Sequence, residues 1–297
     1  MDLKQLSYFT AVVEEGTISA AARRLHLTQP PLSAQMKALE EEAGCVLFER
    51  GSRQIRLTAA GQMLYGRAQK MLELADITVR ELQDYQEGTG GVLRLGVVSS
   101  IGSSFLTGAV CSFCTEHPQV NFELTEGNTY QLLDGISSGL IELAIVRSPF
   151  PEKGLISIPL LDEPLLAAGH QKYFSGKDSL TLADLKETPL ILYRRWESIL
   201  LEQFQSAGFQ PRVFCKNDDA RTSAAWADAG LGVAILPASA SCYFHHPDSQ
   251  VLPVEDLKLR SGICLVHSEG AYISAAARAF MQSLPEYVSG ETPVAPS

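Results

Sequence analysis

Apolar side chains recur at helical spacing through the first 58 residues. Leu3, Leu6, Phe9, Val12 and Val13 share one face, and Gly16 ends the run. Thr17 is placed to cap a short helix reaching Leu25, whose Ala20, Ala21 and Ala22 suit close packing. After His26-Leu27, Thr28 is expected to cap a third helix with Gln29, Pro30 and Pro31 in its first turn, where proline is tolerated because those N–H groups have no intrahelical partner. Leu32, Met36 and Leu39 form its buried stripe, Ser33, Gln35 and Lys37 lie away from it, and Gly44 stops it. Two short helices joined by about three residues predict a helix-turn-helix, whose second member enters a major groove with its N-terminal residues leading. Phe48-Glu49-Arg50 and Arg53 to Leu57 then alternate like a small hairpin around Gly51-Ser52. Its arginines read either as a wing against phosphates or a minor groove, or as the solvated basic edge of a small helical domain.

Thr58 is expected to cap a long helix to Glu87, about 45 Å at 1.5 Å per residue, more than a compact core needs. Leu64, Ala68, Met71, Ala75 and Leu82 keep a heptad-like spacing that Leu72 and Val79 widen, which predicts pairing with another chain. Residues 88 to 91, Gly-Thr-Gly-Gly, read as a hinge. Beyond Val92 the pattern changes to short β-rich runs separated by helical stretches, at 93–98, 121–125, 142–146, 190–193, 212–216 and 233–236. That alternation predicts an α/β region, expected as two subdomains.

Composition is ordinary for a folded chain, 45% hydrophobic and 20% charged, and 297 residues favour about two domains. The net charge of −10 hides an asymmetry: residues 1 to 70 carry +2 and the rest −12. An anionic partner is therefore expected at the N-terminal end. Six scattered cysteines make no disulfide framework and fit a reducing cytoplasm, and no apolar run approaches the ~18 residues of a membrane helix. Neither a secreted precursor nor a membrane protein is expected.

The residues at this point resemble those of the LysR-type transcriptional regulators. The match runs through Leu6-x-x-Phe9, Ala20-Ala21-Ala22-Arg23-Arg24-Leu25, Thr28-Gln29-Pro30-Pro31-Leu32-Ser33, Leu39-Glu40-Glu41-Glu42-Ala43-Gly44, Leu47-Phe48-Glu49-Arg50 and Leu57-Thr58-x-Ala60-Gly61. Gly139-x-x-Glu142-Leu143-Ala144-Ile145 and the run Gly230 to Pro237 extend the similarity over nearly the whole chain. The resemblance implies an all-α winged helix-turn-helix at 1–58, a dimerising linker helix at 59–87, a hinge at 88–91 and an effector domain at 92–297. That domain would be α/β, like a periplasmic binding protein, with subdomain I at about 92–161 and 267–290 and subdomain II at about 162–266. It further implies a homodimer or homotetramer acting on double-stranded promoter DNA, with RNA polymerase as a further candidate partner. Thr28, Gln29, Pro30, Pro31, Ser33, Gln35, Lys37, Arg50 and Arg53 are the DNA-binding candidates. Ala34 departs from the basic or polar residue many members carry there, and offers a thymine methyl contact but no hydrogen bond.

In such folds ligands lie at the carboxyl ends of strands, between the halves. Ser99 and Ser100 follow the first strand and precede a helix start near Gly102, Thr129 follows the second, and Arg147 ends the third. These positions match those that similar regulators use for an anionic effector, and a single arginine beside hydroxyls suits a small organic acid better than a sugar or a cation. Alternatively, Arg147 pairs with a nearby acidic residue and the hydroxyls cap helices. Arg194, Arg195 and Trp196 follow the run 190–193 and either face the crevice from the second subdomain or form a solvated charged turn with a packed tryptophan. Arg194 and, more weakly, Asn217 are further effector candidates, and an apolar wall from Phe150 or Val233 would favour an aromatic acid.

Cys111-Ser112-Phe113-Cys114 reads as core packing more readily than as a redox or metal motif, because no second pair stands at ligand spacing. His245-His246 near Cys242 lacks further ligands, so no metal and no cofactor is expected. No G-x-S-x-G elbow, P-loop or third glycine after Gly230-x-Gly232 is present, so no catalytic residues are assigned and no enzyme is expected. A solute-binding receptor or an enzyme that gained a helical domain is the competing class; the former would need an export signal and the latter would turn its ligand over.

Overall fold

The computed structural model describes residues 1–49, 54–87, 91–101 and 105–290, with backbone alone for 80, 81, 83–87 and 285–290. The chain divides into two compact units, Met1–Gly88 and Thr89–Ser297.

The first unit is helical. Helix α1 (Leu3–Glu15) starts at a capping box in which Asp2 accepts from the Gln5 amide, and ends at Gly16 with φ +67°, the left-handed conformation glycine adopts without penalty. Thr17 accepts from the Ala20 amide to open α2 (Ile18–Arg24). Helix α3 (Gln29–Ala43) begins after Thr28, whose side chain makes no capping bond. Proline in the first turn has no N–H to satisfy, so the expected hydroxyl cap is not needed to start this helix. Leu32, Met36 and Leu39 are buried against Leu6, Phe9, Val12, Ala21 and Leu47. An antiparallel bridge joins Phe48 to Leu57, and the Glu49 amide donates to the Arg56 carbonyl at 2.8 Å. The tip between them, including Arg50 and Arg53, lies outside the described residues. Thr58 accepts from the Gly61 amide at 3.0 Å and opens α4 (Ala59–Glu87).

The second unit is built on strands β1 (Gly91–Val98), β2 (Val120–Gly127), β3 (Leu143–Arg147), β4 (Leu155–His170), β5 (Leu190–Tyr193), β6 (Val213–Asn217), β7 (Val233–Pro237), β8 (Ser249–Pro253) and β9 (Arg260–Ser268). Helices α5 (Thr107–Glu116), α6 (Thr129–Ser137), α7 (Glu197–Ser206), α8 (Ala220–Asp228) and α9 (Ala275–Gly290) cover them. Among the described residues the strand order is β2-β1-β3-β9-β4-β7-β5-β6, with β8 on β4. The pairs β1·β2, β1·β3, β5·β6 and β5·β7 are parallel, as the alternation with helices predicts.

Three strands, β4, β8 and β9, were not anticipated from the sequence pattern, and β4 and β9 join the two halves. The first part of β4 pairs with β9 up to Pro164, with an irregularity between Pro159 and Leu161; the last part pairs with β7 and β8. One apolar core lies on each side of this crossing. Phe113, Phe122 and Phe280 pack edge to face in the first, their centroids 5.2 to 5.9 Å apart. Trp196, Leu200, Phe204 and Ile235 fill the second. Within α5, Ala109 and Phe113 enter the core, whereas Cys111 is exposed and Cys114 half-buried, which corrects the reading of that pair as core.

Candidate functional site

The amino end of α3 is open to solvent. Thr28, Gln29, Pro30, Pro31, Ser33, Gln35 and Lys37 are all exposed, while the apolar stripe on the opposite side holds the helix to the unit. Gln35 accepts from Gln5 at 3.3 Å, and Lys37 stands 3.5 Å from Glu41 one turn on. A helix presented in this way offers polar side chains to a phosphate backbone or base edges.

In the second unit a crevice of about 390 Å³ separates the halves. Asn128, Thr129, Tyr130 and Pro149 line it from the first half, and Tyr193, Arg194, Arg195, Trp196, Ile199 and Asp218 from the second. Beside it is a second hollow of about 430 Å³, walled by Ser99, Glu126, Gly127, Asp219 and Arg221 among others. The walls follow from topology: the carboxyl ends of β2 and β5 face each other here, each running directly into a helix or turn.

Arg147 does not line either space. It is fully buried, and each of its five N–H donors meets an acceptor. Nε donates to Ser100 Oγ at 2.7 Å, one terminal nitrogen to Ser261 Oγ at 2.9 Å and Glu163 Oε1 at 2.6 Å, and the other to the Ser100 carbonyl at 3.2 Å and Ser239 Oγ at 2.8 Å. Burial pulls the Arg147 pKa down, opposed by the Glu163 carboxylate. The structure thus brings Ser100 and Arg147 together, but around Glu163, Ser239 and Ser261, which no local motif singles out.

The other expected residues divide. Thr129 lines the crevice; it is buried, and its Oγ1 has no hydrogen-bond partner. Ser99 walls the second hollow, and its carbonyl accepts from Tyr243 at 3.0 Å. Arg194 lines the crevice and pairs with Asp218 at 3.1 Å in solvent. Asn217 turns inward, donating to Ser223 and accepting from the Asp219 amide, and lines neither space. Gly102 lies outside the described residues, and α5 begins at Thr107. Phe150 packs with the first core and Val233 is buried in the second, so neither lines the crevice.

Two neighbours of Arg194, read from the sequence either as facing the crevice or as part of a solvated turn, stand out. Arg195 reaches across to the carbonyls of Arg147 and Pro149, lies 5.0 Å over the Trp196 ring, and has a buried Nε without a partner. Among the described residues no carboxylate pairs with it. Burial, and beyond that the neighbouring Arg147 charge, lowers its pKa. Trp196 Nε1 is likewise buried and without a partner. The Arg-Arg-Trp run after a strand was the available signal, but it equally fits a solvated turn.

The chain resembles known proteins over nearly its full length. Residues 3–62 match the bacterial regulatory helix-turn-helix protein model of the lysR family, and residues 86–289 the LysR substrate binding domain. Among curated proteins, AlsR of Bacillus subtilis is 32% identical across 82% of this chain and 83% of that one. TcbR of Pseudomonas sp. strain P51 is 34% identical across 80% and 83%. Both are HTH-type transcriptional regulators. The solved structure of full-length CbnR with its target DNA superimposes with a TM-score of 0.79 at 28% identity, covering 97% of this chain and all of that one. With an exposed helix-turn-helix, a two-part α/β domain and these matches, the chain belongs to the LysR family of DNA-binding transcriptional regulators.

Proposed function

We propose that this regulator responds to a small organic acid, of the aromatic class, held in the crevice between the halves of its effector domain. The supporting observation is that Thr129 Oγ1, Arg195 Nε and Trp196 Nε1 are buried polar atoms without partners, each on a residue that lines this one crevice. Leaving such groups unsatisfied costs about 1–3 kcal/mol each, a cost a carboxylate removes by accepting from them. Tyr130, Pro149 and Ile199 supply the apolar wall for a ring. Arg195 takes the anion-binding role expected of Arg147, whose donors are already committed. Acid binding would favour one angle between the halves and so alter promoter binding or bending, to the extent that the two states differ in affinity for it.

At the DNA end, Gln29, Pro30 and Ser33 meet base edges or backbone, with Thr28, Pro31, Gln35, Lys37 and the wing arginines Arg50 and Arg53 on the flanks. That CbnR was solved on its target DNA supports this arrangement. The reading includes a homodimer or homotetramer in the cytoplasm, contact with RNA polymerase, and no catalysis. No helix among the described residues is long and apolar enough to cross a membrane.

The test is a thermal-shift screen of the full chain against small aromatic and aliphatic carboxylic acids, with Arg195→Gln alongside. A saturable rise in Tm that Arg195→Gln removes supports the site. A rise that Arg195→Gln leaves intact, or none with any acid, refutes it.

A further inference from the structure

His170 is the last residue of β4, and it pairs in register with Ser249 at the start of β8. The loop just before Ser249 therefore lies alongside it. His170, His246 and Asp248 each offer one ligand atom there, all within 4.8 Å of one another. The two imidazole rings are 5.7 Å apart between centroids, and His170 Nε2 is 3.9 Å from Asp248 Oδ2. The neighbouring backbone is fixed. Gln171 donates from its amide N–H to the Asp248 carbonyl at 2.7 Å and from Nε2 to Asp248 Oδ1 at 2.8 Å. Asp228 holds the other side of the loop, accepting from the His246 amide at 3.1 Å and from Ser249 Oγ at 2.5 Å.

We propose that His170, His246 and Asp248 form a binding site for a divalent transition-metal ion of the zinc or nickel type. Two imidazoles and one carboxylate are a donor set for such ions, whereas magnesium and calcium prefer oxygen alone. Gln171 occupies Oδ1 and so directs Oδ2 toward the histidines, the second-shell orientation that metal sites use. Bonds of about 2.0–2.1 Å require the ligand atoms to draw closer than they stand, which the exposed His246 and half-exposed Asp248 allow by side-chain rotation. Nδ1 of each histidine now accepts from a backbone N–H at 3.2 Å, Lys172 for His170 and Asp248 for His246. Ligation through Nε2 moves the ring proton to Nδ1 and gives up these two long contacts, so the site binds moderately, with water completing the coordination. The pair His245-His246 suggested Cys242 as a companion ligand; the fold supplies a histidine 76 positions earlier in the sequence instead.

The experiment is titration of tag-free, full-length protein with Zn²⁺ and Ni²⁺ by calorimetry, with Mg²⁺ as control. One ion per chain is expected, with affinity reduced about tenfold or more in His246→Gln and in His170→Ala, and unchanged in His245→Gln and Cys242→Ser. Because His246 is exposed, its variant keeps the fold even where His170→Ala disturbs packing near Gly230. Electron paramagnetic resonance of the Cu²⁺-loaded protein should show two coordinating nitrogens, and one in His246→Gln. Absence of binding, equal affinity in His246→Gln, or loss of binding in Cys242→Ser overturns the assignment.

Discussion

Arg147 and Glu163 meet at 2.6 Å where both side chains are buried, one ending β3 and the other lying midway along β4. Ser239 closes the group, accepting from Arg147 and donating to Glu163 at 2.9 Å. The pair sits where β4 passes between the two cores, so its charges join parts of the domain that share no local sequence.

Removing one partner of such a pair strands the other in a low-dielectric interior. Arg147→Ala should cost about 3–5 kcal/mol of stability, and a combined apolar replacement of Arg147 and Glu163 much less. Both tryptophans, Trp196 and Trp226, belong to the second unit, so denaturation followed by tryptophan fluorescence reads this region alone. A single variant as stable as the parent would mean that the pair is not needed.

Thr129→Val removes a buried hydroxyl that has no internal partner while keeping side-chain volume. The melting temperature should hold or rise, and affinity for the acid should fall. Calorimetry with the best acid from the screen distinguishes this from a structural role, which would lower stability together with affinity.

Asp228 carries a pH prediction. Burial raises its pKa, but hydrogen bonds from Ser249, His246 and His245 outweigh this and hold it below its ordinary value. A depressed carboxylate contributes stability above its unfolded pKa of about 3.9 and loses it as pH falls through the folded value. Asp228→Asn should therefore be less stable than the parent at pH 7, with the gap narrowing below about pH 4. A difference that does not change with pH in denaturant titrations would argue against the charge.

The outer part of α4 leaves apolar side chains in solvent, Val79 at 56% exposed and Leu82 at 63%. Under the proposed pairing of linker helices, Val79→Glu with Leu82→Glu should lower the mass found by sedimentation, with little change in helical content. An unchanged mass would move the interface elsewhere.

Thiol reactivity follows burial. Cys264 is buried within β9, and loss of solvent raises its pKa, whereas Cys111 is exposed on α5. Alkylation followed by peptide mass spectrometry should find Cys111 modified well before Cys264.

Local signals in the sequence determined the helical unit and much of the α/β alternation. Glycine at 16 and 44 adopts the left-handed geometry that ends a helix, and Leu32, Met36 and Leu39 define a buried face at 3.6-residue spacing. The uninterrupted apolar run 190–193 needed no distant partner to be legible as a strand. By contrast β4 contains Pro159, Pro164 and the acidic pair Asp162-Glu163, which read as punctuation until β9 and β7 pair with its two ends. The fate of each arginine was also a tertiary decision. Arg147 meets Ser239 and Ser261, 92 and 114 positions away, and is consumed, while Arg195 faces the crevice with a free Nε. Side-chain type announces what a residue can bind, but strand register and crossover decide which donors are already satisfied and which remain to meet a ligand.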